Sequence, residues 1–325
     1  MQRTRWNAGV VGGVLLASLA FAPLQAQGTR GFEGYIITSD SAQLFVRVMG
    51  RGLDTLVVVH GGPGGDMAGL IPDFAPLIAR HTVIFYDQRG GGRSELPTDT
   101  TRLRVSRQIE DLDEVRRHFH IDRVTLLAHS YGPVLAAAYA IAHPSAVHRL
   151  IFIGGLPPWR SNVFNRTDST LAARLDAQQK AAAADAARRM TDSLADTKKA
   201  CRAYWAVMLR PRFADPEHTL VSHPVDLCSA DARALRYGWN TSGRVVLGSF
   251  GDWDFREQLR RLEVPTLIIH GEQDAIPMDM AEAWAKYLPH AEMLHVANAA
   301  HFPYSEQPNI VWPAIERFLL ANPRR

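Results

Sequence analysis

A serine, an acid and a histidine each stand on a loop at the end of an expected strand, in the chain order Ser130, Asp274, His301. Ser130 follows the apolar run at 124–128 and precedes an alanine-rich helical pattern, in the string His129-Ser130-Tyr131-Gly132-Pro133. A tight strand-to-helix turn pushes a serine hydroxyl out over the strand ends, and small residues on either side let strand and helix approach. The general form is Gly-x-Ser-x-Gly, and Ala128 occupies the first position here. A five-residue pattern recurs by chance, so its place between strand and helix singles it out.

A serine is inert without a base. The run at 266–269 ends in His270-Gly271-Glu272-Gln273-Asp274, and a further strand later Ala299-Ala300-His301-Phe302-Pro303 leads into the last helix. Proton bookkeeping gives the roles: Ser130 attacks, His301 takes and returns its proton, and Asp274 holds the imidazole tautomer and balances its charge. Glu272 is an alternative acid and His295 an alternative base. Directly after the apolar run at 57–59 stands His60-Gly61-Gly62-Pro63-Gly64-Gly65, four glycines in six residues. Backbone must come close to something there. With a nucleophile downstream, the expected role is an oxyanion hole made by the Gly62 and Tyr131 amides, one such donor being worth about 3–4 kcal/mol of barrier. A phosphate loop would need a Gly-Lys-Ser/Thr ending, which is absent.

These turns need a scaffold. Residues 35–48 alternate polar and apolar, as a strand with one wet face does, whereas 56–59, 82–86, 124–128, 150–153 and 266–269 are short apolar runs of the kind buried in parallel sheets. Helical patterns at 109–119 and 134–142 lie between them, and alternation of this kind builds a parallel sheet with right-handed crossovers. From about 156 to 254 no core strand is evident; residues 171–200 hold eleven alanines, and Trp159, Trp205, Trp239 and Trp253 are spread through the segment. High alanine content favours helix. The segment reads as a helical lid inserted into one sheet domain, with an independent helical domain as the alternative.

At 325 residues, with 46% hydrophobic and 21% charged, the chain is neither disordered nor too small to bury a core. Arg3 and Arg5 precede an uncharged, largely apolar run that ends near Leu24-Gln25-Ala26, the organisation of a secretory signal cleaved after Ala26. An uncleaved N-terminal anchor is the alternative. Removing the two arginines takes the net charge from +3 to +1, and nothing then argues for nucleic acid. Export, to the periplasm or beyond, places Cys201 and Cys228 where a disulfide persists; two separately buried thiols are the other reading. No stable membrane insertion is expected once the signal is removed.

The strings HGGPGG at 60–65, YDQRGGGRS at 86–94, AHSYGP at 128–133, GEQD at 271–274 and AHFPYSEQP at 300–308 together resemble the α/β-hydrolase superfamily. The pair HGGPG and DQRGxGRS is more specific and is similar to proline iminopeptidases and related serine aminopeptidases. The resemblance runs from about Gly31 to the C-terminus, the lid excepted. It implies an α/β-hydrolase fold, with a mostly parallel sheet flanked by helices and a helical cap inserted after the sixth strand. With the signal at 1–26 read from its own residues, the chain then divides into a core at 27–155 and 256–325 and a cap at 156–255. It implies a cofactor-free serine hydrolase that removes an N-terminal residue, often proline, from a short peptide or amide. It supports Ser130, Asp274 and His301 as triad with Gly62 and Tyr131 as oxyanion donors, and it places Asp87 and Arg89 in a buried ion pair or hydrogen-bond network.

In that family the acids that meet the substrate's ammonium come from the cap, one of them shortly before a Gly-x-x-x-Asp-Trp-Asp stretch. Here that stretch is 248–254, and the preceding Asn240-Thr241-Ser242-Gly243-Arg244 has no carboxylate. Glu217, Asp226 or Asp231 are the substitutes to consider. An ester or lactone, which needs no ammonium anchor, is the alternative substrate class, and a non-catalytic binding protein is the third reading. Dehalogenase and epoxide hydrolase chemistry would need a carboxylate in place of Ser130.

Overall fold

The computed structural model describes residues 31–52, 54–217 and 226–321, so the expected signal at 1–26 lies outside the described residues. Eight strands form one sheet: β1 (Glu33–Ile37), β2 (Gln43–Met49), β3 (Thr55–Val59), β4 (Thr82–Tyr86), β5 (Val124–His129), β6 (Val147–Ile153), β7 (Thr266–Gly271) and β8 (Ala291–Val296). Their order is β1-β2-β4-β3-β5-β6-β7-β8. β2 pairs antiparallel with β1 and β4, and every pairing from β4 to β8 is parallel.

The alternation at 35–48 is a hairpin rather than one strand. Period-two alternation continues on both sides of a tight turn, so pattern alone does not see the break. The turn is built by Thr38, whose hydroxyl donates to Asp40 at 2.6 Å and accepts the Ala42 N–H at 2.9 Å, with Ser41 in the left-handed region at φ 66°.

The apolar runs are continuous because both faces of the sheet are covered. Val57 and Val59 of β3 face a core shared with Leu126, Leu135 and Trp284, while Leu56 and Val58 face the opposite core with Phe74, Trp312 and Ile315. The helix Val105–His118 covers the first face through Leu112 and Val115. The parallel strands β5, β6 and β7 therefore end side by side on one edge, where ligands of open α/β sheets bind.

Between β6 and β7 the described residues hold helices Val163–Ala173, Ala177–Asp192, Thr197–Met208, Ala232–Tyr237 and Gly243–Ser249. A single β-bridge between Trp159 and Asp254 closes the base of the insertion. Alanine serves packing here as well as propensity: Ala183, Ala186 and Ala200 are buried. The helix Ala177–Asp192 starts with a capping box, Asp176 accepting the Gln179 N–H at 2.8 Å and the Gln179 side chain accepting the Asp176 N–H at 2.9 Å. Cys201 and Cys228 are joined in a disulfide with Cα atoms 5.9 Å apart, which removes the two-thiol alternative. A bridge spanning 27 residues restricts the unfolded cap by about 3–4 kcal/mol on the chain-entropy account. Among the described residues no helix is long and apolar enough to cross a membrane.

Candidate active site

Ser130 sits between β5 and the helix Gly132–Ala142 at φ 62°, a left-handed conformation that costs a non-glycine residue of order 1–3 kcal/mol. The fold over-determines it: the Ser130 N–H donates to the Ile153 carbonyl at 3.0 Å, and the Ser130 carbonyl accepts the Leu156 N–H at 2.9 Å. The helix enters so close to β3 that a Cβ on Gly132 would lie 2.3 Å from the Val59 carbonyl oxygen. Small residues flank the serine for the steric reason the sequence suggested.

The histidine and acid meet it. His301 Nε2 lies 3.0 Å from Ser130 Oγ, and His301 Nδ1 lies 2.9 Å from Asp274 Oδ2. An ionised carboxylate accepts only, so Nδ1 carries the proton and Nε2 is free to accept the serine O–H. Asp274 is buried, and burial alone would raise its pKa; the His301 charge and hydrogen bond, His270 and the Ile276 N–H outweigh it and hold the carboxyl at about 2. Glu272 is exposed, and His295 stands 3.8 Å from Glu282, so neither alternative joins the relay.

His301 is itself held from three sides. Its N–H donates to the Arg212 carbonyl at 2.9 Å, and its carbonyl accepts from His129 Nε2 at 2.9 Å. Burial drives the His129 pKa down to about 3, so this ring is a neutral donor in the working pH range. Glu306, within the AHFPYSEQP string but not singled out from sequence, accepts the Ala300 N–H at 2.7 Å and the Ala214 N–H at 2.6 Å. It ties the histidine loop to the cap.

The glycine-rich loop does approach other backbone closely. A Cβ on Gly61 would stand 3.3 Å from Ser130 Oγ, and one on Gly64 would stand 2.8 Å from Gly238 of the cap. Gly62 and Tyr131 both border the space in front of Ser130, and among the described residues neither backbone N–H has an acceptor. His60 locks the loop: its Nε2 accepts the Gln88 N–H at 3.0 Å, so Nδ1 carries the proton and donates to the Gly61 carbonyl at 2.6 Å. Burial lowers the His60 pKa, which keeps that ring neutral.

Asp87 and Arg89 belong to two networks and are not a pair. Asp87 accepts the backbone N–H groups of Met67 at 2.9 Å and Arg93 at 2.8 Å. Arg89, 1% exposed, donates to Asp111 at 2.9 Å and to Asp40 at 2.6 and 2.9 Å. A buried guanidinium needs that compensation. Asp40 in the β1–β2 turn and Asp111 on a helix are too distant in sequence for motif reading to connect them.

Ser130, Asp274, His301, Gly62 and Tyr131 line one cavity of about 440 Å³ between sheet edge and cap. Cap residues Phe164, Leu171, Met190, Trp205, Leu235 and Trp239 supply its apolar roof. None of the three cap acids considered as substitutes lines it. Glu217 pairs with Arg210, Asp226 pairs with Arg202 at 3.2 Å, and Asp231 caps a helix by accepting the Ala234 N–H at 2.9 Å. The carboxylates that do line the cavity, Asp274 aside, are Asp66 and Asp168. Burial, followed by the nearby Asp87 charge, raises the Asp66 pKa to about 6. Asp66 directly follows HGGPGG and could have been flagged by that position; Asp168 and Arg212 carry no sequence signal of their own.

The family model of the alpha/beta hydrolase fold matches residues 54–308. The chain is 29% identical over 291 residues to a proline iminopeptidase of Heyndrickxia coagulans, covering 88% of this chain and 98% of that one. It is 28% identical over 280 residues to a proline iminopeptidase of Saccharolobus solfataricus, covering 81% and 84%. Among solved structures it resembles the proline iminopeptidase of Mycobacterium smegmatis, at 22% identity and TM-score 0.68 over 90% of this chain and 98% of that one. It also resembles an esterase of Exiguobacterium antarcticum, at 20% identity and TM-score 0.64 over 88% and 99%. Likeness at those identities speaks for the fold alone, while the family match covers most of the chain: this protein is a member of the alpha/beta hydrolase fold family.

Proposed function

We propose that the chain is an exported serine hydrolase that releases N-terminal residues from short peptides or amides through an acyl-enzyme on Ser130. One observation carries the reading: the unbroken chain of contacts from Ser130 Oγ through His301 to Asp274, open to a cavity. Ser130 attacks the carbonyl while His301 Nε2 takes its proton, and the Gly62 and Tyr131 N–H groups receive the oxyanion. His301 then protonates the leaving amine, and the same base activates the water that frees the acyl group. The Asp66 carboxylate accepts the substrate's ammonium, whose charge would otherwise be costly to desolvate. Export is supported by the residues at 1–26 and by the disulfide.

The orientation of Glu217, Asp226 and Asp231 away from the cavity favours a second reading, an esterase or lactonase with the same triad. Comparing kcat/KM for an aminoacyl 4-nitroanilide, its N-acetylated form and a short-chain ester separates the two. The aminopeptidase loses at least 100-fold on acetylation; equal rates for the free and blocked anilides would leave the esterase reading.

A pH dependence follows from Asp66. Below about pH 6 its carboxyl is neutral and no longer offsets an ammonium. KM for the unblocked anilide should rise roughly tenfold per pH unit between 6 and 4.5, while KM for the ester stays flat. Asp66→Asn should raise the anilide KM at pH 7.5 and remove that slope; an unchanged slope would exclude Asp66 as the anchor.

A further inference from the structure

Arg212 lines the same cavity as Ser130 and His301, and it is fixed there by its own backbone, whose carbonyl accepts the His301 N–H at 2.9 Å. Its guanidinium donates to the Met208 carbonyl of the same helical segment and lies 5.4 Å over the Trp205 ring. Among the described residues no carboxylate comes within ion-pair distance of it. The fully buried Arg89, by contrast, is answered by Asp40 and Asp111. Burial lowers the Arg212 pKa, and Tyr204, Asp274 and Asp168 oppose that through space.

A half-buried guanidinium without a carboxylate partner is under-compensated, and one that lines a binding cavity gains a charge-assisted partner when a ligand brings an anion. A neutral amide or anilide offers it nothing. A free peptide cleaved at its first bond has one anionic group outside its side chains, the terminal carboxylate of the leaving portion.

We propose that Arg212 receives the C-terminal carboxylate of a short free peptide, so that the enzyme acts on unblocked di- and tripeptides in preference to amides. This rests on the aminopeptidase reading above. It gives the cavity one charged partner for each end of a zwitterion, Asp66 accepting from the ammonium and Arg212 donating to the carboxylate.

Matched dipeptides, each as free acid and as C-terminal amide, test it at pH 7.5. The wild type should show kcat/KM at least tenfold higher for the free acid. Arg212→Gln should bring the ratio of acid to amide to about one, and Arg212→Lys, which keeps the charge but not the fork, should retain part of the preference. Calorimetry with Ser130→Ala protein should show the same ordering in Kd, which separates binding from turnover. Circular dichroism of both Arg212 variants guards against loss of the fold, and a partial preference in the Lys variant would itself require a folded cavity. A wild-type ratio near one, or a preference that survives in Arg212→Gln, overturns the proposal. If aminoacyl anilides are hydrolysed while the ratio is one, Arg212 alone has been misassigned; if neither anilides nor free peptides are hydrolysed, the aminopeptidase reading falls and this proposal falls with it.

Discussion

Ser130→Ala is expected to lower kcat for every substrate of this site by about 10⁴–10⁶-fold while leaving the protein folded. The reason is local. Ser130 Oγ is the hydroxyl placed 3.0 Å from His301 Nε2, and its loss leaves the base with nothing to deprotonate except water. The residual rate would come from the oxyanion donors and binding alone. Folding should survive because the strained φ of 62° is imposed by the backbone bonds to Ile153 and Leu156, which an alanine keeps. A fluorophosphonate should label the wild type at residue 130, and labelling should be lost in Ser130→Ala and nearly lost in His301→Ala. Wild-type turnover by the alanine variant would end the serine-hydrolase assignment, and absence of labelling in the wild type would favour a binding protein.

The scaffold was readable because its signals are local and repeated. Continuous apolar runs such as 56–59 and 266–269 mark strands buried on both faces; Ser130 and Asp274 follow such runs by only a few residues, and His301 follows the half-exposed edge strand β8. Their convergence is then a consequence of the parallel strands β5, β7 and β8 ending on one edge of the sheet. What stayed hidden depends on long-range pairing. Nothing near Arg89 points to Asp40 and Asp111 as its partners, since those contacts exist only after the β1–β2 turn and a helix have docked. The cap was the least legible part. Its helices were foreseen from alanine content, but which side of each helix faces the cavity is set by packing against the core. Acidic residues counted along the cap, Glu217, Asp226 and Asp231, thus proved to be surface pairs and a helix cap, while Asp66 from the core and Asp168 from another cap helix line the site.

Asp274→Asn should cost about 10³–10⁴-fold in kcat with little change in KM, although it alters the size of the side chain hardly at all. In the wild type one carboxylate oxygen accepts the Ile276 N–H at 3.0 Å and the other accepts the His301 Nδ1–H at 2.9 Å. An amide has only one oxygen. If that oxygen keeps the Ile276 N–H, the NH₂ group faces Nδ1, which must then be bare, and the ring proton moves to Nε2. A protonated Nε2 cannot accept from Ser130, so the base is lost through its tautomer rather than its position. The stability effect has a definite sign. A carboxyl held at about 2 when folded, against an ordinary 3.8, stabilises the fold above pH 3.8 and loses that contribution only as the pH falls through about 2. At pH 7 the asparagine variant should therefore unfold about 2 kcal/mol more easily, within reach of a urea titration. Since the carboxylate stays ionised throughout the range where activity is measured, the rate loss should persist from pH 6 to 9. Glu272→Gln, on the exposed neighbour, should leave kcat within about twofold of wild type. An asparagine variant within tenfold of wild type, or a larger loss in Glu272→Gln, would move the role of the acid away from Asp274.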